Sequence, residues 1–290
     1  LPFAFASCPE IDNVKALNSA VERYYDTTLD LYEQLWGEHV HHGFWDAGER
    51  PDAGGADRHA ATDRLVQELI DYARVPPGSA VLDVGCGIGG PALHLARSLG
   101  CTVTGVTLSA RQAARAGEKA REAGLADRVH FEQADALETG LPDGSFDVVW
   151  ALESVMHIPD RAAFFAEAWR LLRPGGTLAI GTWAVRDGDL DPAQRELVAQ
   201  VLKHQVMPSL SSLEEHARLA DAAGFAQVGV VDWSANVANS WDPRFAQIPA
   251  FDETRLARES GPALMRRLAR ERGVEVLGYF YAGPIMVKGF

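Results

Sequence analysis

The chain has 290 residues, 47% of them hydrophobic and 23% charged, and a formal net charge of −13. Such a composition is that of a soluble globular protein, long enough for one large α/β domain or a core with a cap. The acidic balance, with no local Lys/Arg cluster to offset it, argues against nucleic acid or a membrane surface as partner, and no apolar run is long enough to span a bilayer. The opening "LPFAFASCPE" lacks the basic stretch of a signal peptide, and Cys8, Cys86 and Cys101 fit no metal spacing. A cytoplasmic protein with a small-molecule partner is the expectation.

In chain order, residues 10–46 read as helical with paired aromatics, and 47–57, "AGERPDAGGAD", as a loop. Thr62, Leu65, Val66, Leu69 and Ile70 recur at helical spacing, and "VPPGS" closes that helix. Strands and helices then alternate: strand Val81–Val84, helix Pro91–Ser98, strand Thr102–Thr107, helix Ala110–Ala123, strand Val129–Gln133 and strand Phe146–Glu153. A helix Arg161–Leu172, a turn at "RPGG" and a strand Thr177–Thr182 complete the series. This alternation implies an α/β fold with a parallel, doubly wound sheet, and the nearly continuous apolar strands imply cover on both faces. After Trp183 residues 186–220 are polar and helical, "FAQVGVVDW" reads as a sixth strand and "YFYAGPIMVKGF" as a seventh. The whole predicts a seven-stranded, mostly parallel sheet with a helical cap: residues 1–75 as an N-terminal cap, 76–185 as the core, and 186–290 as the remaining strands with cap insertions at about 186–220 and 235–277.

Gly85, Gly87 and Gly90 satisfy G-x-G-x-x-G where the first strand turns into a helix, a place where backbone and helix N-terminus can approach a nucleotide-like ligand. That pattern alone leaves dinucleotide binding open. Asp83 lies two positions upstream, where a carboxylate at a strand end can orient the loop or hold an ammonium group. Asp135 and Ala136 in "EQADALE" follow the third strand, where an Asp can accept from an adenine amino group, and Thr107 stands where a nicotinamide dinucleotide would call for an acid.

Taken together, "VLDVGCGIGG", "GVTLS", "ADAL", "FDVVWALESVMHIPD" and "LRPGGTLAI" resemble, in order and spacing, the motifs of class I S-adenosylmethionine (SAM) dependent methyltransferases, closely over residues 75–185 and loosely beyond. "YYD…LYEQLWGEHVHHGFWD" is similar to the entry segment of a small-molecule branch holding tocopherol methyltransferases and bacterial natural-product methyltransferases such as the rebeccamycin sugar O-methyltransferase. The resemblance implies SAM as cofactor and S-adenosylhomocysteine as product, with residues 76–185 as the cofactor-binding core and residues 1–75 covering it. It implies that Gly85, Cys86 and Gly87 line the methionine moiety beside Asp83, and that Thr107, Leu108 and Gln112 flank ribose and adenine. It also sets Asp135 and Ala136 against the adenine and Leu152 and Ser154 near the sulfonium, and makes Tyr24, with Tyr25, a cofactor-covering residue. The apolar N-terminal helix could instead cross to another copy, so a homo-oligomer is open.

His157, just past the fourth strand, is the candidate catalytic base. Relative to the sugar O-methyltransferases, one histidine has become Met156 and an acidic position holds Thr182, next to Trp183, which thins the acid–base set and suggests an apolar acceptor. His42, Phe44, Met156, Thr182 and Trp183 are the candidate acceptor-binding residues, with Trp45, Trp241, Phe245, Tyr279 and Tyr281 as further aromatics. Such rings stabilise a developing cation, which favours C-methylation of a prenyl, terpenoid or indole-terpenoid acceptor, in the manner of the teleocidin-type enzymes. O-methylation of a sugar or phenol with His157 as base, an NAD(P)-dependent oxidoreductase, and a non-catalytic SAM-binding protein are the alternatives. The histidines of "HVHH" have no carboxylate at a matching spacing except Glu38, and no metal is expected.

Overall fold

In the computed structural model, residues 13–49, 55–185, 187–241 and 286–288 are described. Helices α1 (Val14–Trp36) and α2 (Gly55–Ala73) precede β1 (Ala80–Val84), α3 (Gly90–Leu99), β2 (Thr102–Thr107), α4 (Ala110–Glu122), β3 (Val129–Gln133) and β4 (Phe146–Leu152). Helix α5 (Arg161–Leu171), β5 (Leu172–Gly181), α6 (Pro192–His204), α7 (Leu213–Ala222), β6 (Phe225–Val228), α8 (Ser234–Val237) and β7 (Met286–Lys288) follow. The seven strands form one sheet in the order β3-β2-β1-β4-β5-β7-β6. Neighbours from β3 to β5 pair in parallel, and β7 lies antiparallel between β5 and β6.

Alternation along the strands explains why they read as continuously apolar. Val81 joins one core cluster with Leu65, Leu69 and Leu93, while Leu82 and Val84 join the other with Phe164, Phe165 and Leu178. In β4 the same rule sends Val148, Trp150 and Leu152 to the first cluster and Val149 and Ala151 to the second. β1 and β4, at the centre of the sheet, are thus packed on both faces, the condition for a buried parallel sheet.

Helix α1 begins at Asn13, whose side chain accepts from Ala16 N at 2.9 Å, and stops at Gly37, whose φ of +72° suits glycine. It docks on its own chain. Arg115 of α4 grips Glu33 (2.8 Å), Lys119 reaches the same carboxylate (3.1 Å), and Arg111 meets Asp30 (2.6 Å). Ser109, which caps α4 by accepting from Gln112 N, donates to Asp26 at 2.5 Å.

Three sequence expectations are corrected. The helical stretch of residues 10–46 ends at Trp36, and residues 37–46 turn back under the helix, burying His39, His41, His42, Phe44 and Trp45. "RPGG" belongs to β5, with a register irregularity between Phe146 and Val148. The sixth strand covers only Phe225–Val228, and Trp233 of the same run leads into α8. Most of the expected insertion at 235–277 lies outside the described residues, as do Phe245, Tyr279, Tyr281 and the side chain of Trp241.

Candidate active site

Two cavities meet at the carboxyl ends of the central strands, where open α/β sheets bind their ligands. The larger encloses about 990 Å³, its open mouth included. Its floor is the loop after β1. Gly85 adopts φ +74°, and its amide and that of Cys86 both donate to Val106 O (2.8 and 3.0 Å), folding the loop tightly against β2. Thr107 donates to Gln112 (2.8 Å), and Asp135 accepts from Asn18 of α1 at 2.6 Å and from Leu137 N at 2.9 Å. Of the candidate cofactor residues, Gly85, Cys86, Gly87, Thr107, Leu108, Gln112, Asp135, Ala136, Leu152 and Ser154 are brought together around this cleft.

Two expected residues do not. Asp83 lies below the loop, 1% exposed, and its Oδ2 has no hydrogen-bond partner among the described residues. Burial pushes its carboxyl up to about 7. Tyr24 points away, its hydroxyl bonded to Tyr32 (2.6 Å) and Gln205 (2.8 Å), and it is the neighbouring Tyr25 that lines the cleft. One helical residue turns the side chain by about 100°, and here that step takes Tyr24 toward Tyr32 and Gln205 while Tyr25 faces the cleft.

The smaller cavity, about 560 Å³, is walled by Tyr32, Trp36, His42, Met156, Trp183, Gln205 and Met207, and shares Tyr25, Val40, His41, Glu153 and His157 with the larger. Of the candidate acceptor residues, His42, Met156 and Trp183 are thus brought together on this wall. Phe44 does not reach either cavity: it packs edge-on to Trp233 at 5.5 Å, under the Arg64 guanidinium. Thr182 is buried behind the wall, against Met156 Sδ (3.9 Å) and Trp183 O (3.4 Å).

Glu153, which the sequence reading passed over, organises the shared wall. Its carboxylate accepts from His42 N (2.6 Å), His42 Nδ1 (2.8 Å) and Trp183 Nε1 (2.9 Å). It adopts φ +52°, a left-handed conformation that costs a non-glycine residue about 1–3 kcal/mol and recurs at functional sites. Val206 is in the same region at φ +53°, rarer still for a β-branched residue, and presents its carbonyl to His157 Nδ1 at 3.3 Å. A carbonyl only accepts, so Nδ1 carries the proton and Nε2 is the acceptor, receiving the Tyr25 hydroxyl at 2.8 Å. Burial holds His157 down near 4, hence neutral at physiological pH.

Burial likewise brings His41 to about 3 and His216 to about 4. These rings titrate near 6.5 when unfolded, so below that pH the unfolded chain takes up protons that the native state refuses, and stability falls. Asp83 acts in the opposite direction between its ordinary 3.8 and about 7, because there the native state holds the extra proton. Three rings outweigh one carboxyl. The urea midpoint should therefore be lower at about pH 5 than at about pH 7.5; an equal or higher midpoint at the acidic pH would contradict this balance.

A methyltransferase-domain family model matches residues 82–180, from β1 into β5. The chloroplastic tocopherol O-methyltransferase of Arabidopsis thaliana is 32% identical over 289 residues, a match covering 96% of this chain and 80% of that one. The chain belongs to the class I SAM-dependent methyltransferases. The 27-O-demethylrifamycin SV methyltransferase of Amycolatopsis mediterranei is 40% identical over 228 residues, covering 78% of this methyltransferase and 81% of the relative. Among solved structures, the (4+2)-cyclase SpnF superposes with a TM-score of 0.76 at 28% identity, covering 94% of this chain and 97% of that one. The cofactor of this methyltransferase is SAM and its acceptors are small molecules. Among the described residues no helix is long and apolar enough to cross a membrane.

Proposed function

We propose that this methyltransferase holds SAM in the larger cleft and methylates a hydroxyl group of a hydrophobic natural product seated in the smaller cavity. Support for the cofactor's place comes from three features of the cleft. The loop at Gly85 and Cys86 folds tight against β2 as its floor, Gly87 leaves open space where a side chain would intrude, and Asp135 with Gln112 offers polar groups for adenosine. SAM supplies an electrophilic methyl group, and α1, laid over the cleft by its ties to α4, shields that group from water.

One observation carries the choice of a hydroxyl acceptor: His157 lies on the wall common to both cavities, with its basic Nε2 turned to the Tyr25 hydroxyl. An oxygen that gains a methyl must shed its proton, and His157 Nε2 is placed to receive it, with Tyr25 as the donor it releases or relays through. The two named relatives are both O-methyltransferases or act on an O-demethyl compound, which agrees.

C-methylation of a prenyl or terpenoid acceptor is the second reading. It is favoured by the rings of Tyr25, Tyr32, Trp36 and Trp183 around the smaller cavity, each worth about 0.5–2 kcal/mol to a developing cation if well placed. The two readings separate on one pair of variants. For a hydroxyl acceptor, His157→Ala lowers kcat by about 100-fold or more with SAM affinity unchanged. If Trp183→Ala costs the larger factor and His157→Ala little, the acceptor atom is carbon.

A further inference from the structure

A second cluster of chemistry-bearing side chains lies outside both cavities. His39 from the segment after α1, Asp63 of α2 and His94 of α3 bring a ring nitrogen, a carboxylate oxygen and a second ring nitrogen within 4.8 Å of one another. His39 Nε2 stands 2.7 Å from Asp63 Oδ1, and His94 Nδ1 stands 3.7 Å from the same oxygen.

The outward-facing nitrogens decide what the inward ones can be. His41 Nδ1 is 2.8 Å from the His42 carbonyl, so it donates there, and in the neutral ring His41 Nε2 is an acceptor. That nitrogen lies 3.1 Å from His39 Nδ1, which therefore carries its ring's proton. His94 Nε2 faces the Gln67 amide oxygen at 3.5 Å, again an acceptor. With those distal nitrogens turned to acceptors, His39 Nε2 and His94 Nδ1 are the atoms left facing Asp63 Oδ1, so two imidazole nitrogens and a carboxylate oxygen gather within 4.8 Å as the donor set of a cation site.

We propose that His39, Asp63 and His94 bind a divalent transition-metal ion of the zinc class. Two imidazoles and one carboxylate suit zinc better than magnesium or calcium, which prefer all-oxygen shells. Hydrogen bonds from the distal ring nitrogens, here to His41 and Gln67, are the means by which ligating histidines are usually oriented. Four-coordinate zinc spaces its ligand atoms roughly 3.3 Å apart, so the 2.7 Å edge opens and the 3.7 Å edge closes. A rotation of Asp63, whose side chain is 56% exposed, accomplishes both, and water takes the remaining position. Gly90 permits the approach, because a Cβ there would stand 2.7 Å from His39 Nδ1 and 2.4 Å from Glu38 O. The ion fixes the segment Glu38–His42, which walls both cavities, from its outer side and touches neither ligand space.

The test uses the full chain stripped with a chelator, then titrated with Zn²⁺ against a chromophoric competitor and with Co²⁺ followed by its visible absorption. One equivalent should bind in the micromolar range or tighter. His94→Ala and Asp63→Asn should each weaken binding more than about tenfold, while S-adenosylhomocysteine binding persists. His130→Ala, an exposed histidine on β3, should leave metal binding unchanged. Zinc binding that is absent at micromolar concentration, or equal in wild type and in both variants, would overturn the site.

Discussion

Gly85→Ala should yield a protein that is much less stable and unable to hold its cofactor, whereas Gly87→Ala should lose the cofactor at the cost of backbone strain alone. At Gly85 a Cβ would stand 2.3 Å from the Ser154 Cβ, and Ser154 cannot yield easily because its hydroxyl donates to Val84 O at 2.6 Å. The left-handed backbone adds about 1–2 kcal/mol for any L-residue, and overpacking adds about 1–3 kcal/mol more. At Gly87 φ is +53° but no atom lies within 4 Å of the added carbon, so the unliganded fold pays only the backbone strain. The same carbon enters the cleft, and S-adenosylhomocysteine affinity should fall by about 100-fold, some 2.7 kcal/mol. Gly124→Ala, at φ +68° with open space and away from the cleft, controls for strain. Calorimetric titration beside urea unfolding separates the three; unchanged affinity in Gly87→Ala would remove the loop from the cofactor site.

Glu153→Gln is expected to be nearly as damaging as Glu153→Ala, although it preserves volume. Both carboxylate oxygens face donors: His42 N on one, and His42 Nδ1 with Trp183 Nε1 on the other. A glutamine must turn its NH₂ against one of these sets, setting donor against donor in a buried wall, at a cost of about 1–3 kcal/mol per unsatisfied group. Because the wall serves both cavities, acceptor KM and kcat should worsen together, and unfolding should shift to lower urea. Full activity in Glu153→Gln would mean that only the shape of the side chain matters.

The parallel core was legible to within a residue or two except at β5, which starts at Leu172 and takes in the expected "RPGG" turn. Thr102–Thr107 and Val129–Gln133 are found at the bounds read from the sequence, because short apolar strands between glycine or polar breaks have few other ways to be buried. The site was legible where a motif fixes backbone position, as at Gly85 and Asp135. It was not legible where helical phase or local dihedral decides. Tyr24 and Tyr25 are equivalent in the sequence, yet only one faces the cleft. Leu152 and Ser154 were singled out while Glu153 between them was not: its importance follows from a positive φ that swings its carboxylate under His42, and nothing in its residue type announces that. Phe44 is a pocket candidate only by its ring type, which does not say which way the ring points; the chain turns at Gly37, and that ring falls into the core beside Trp233. The convergence of His39 with Asp63 and His94 joins three separate elements and has no local signature at all.

The position of β7 bears on the order in which this chain can fold. Strands β3, β2, β1, β4 and β5 are all made by residue 181 and can pair as soon as they leave the ribosome. β6 is translated next, but its sheet neighbour is β7, which also covers the outer edge of β5. Until residues 286–288 emerge, the outer edge of β5 and the whole of β6 have no strand partner among the described residues, and an uncovered edge is where chains aggregate. β7 acts as the keystone of the sheet, and pulse-labelled nascent chains arrested before it should gain protease resistance in the five-strand portion and remain cleavable in β6.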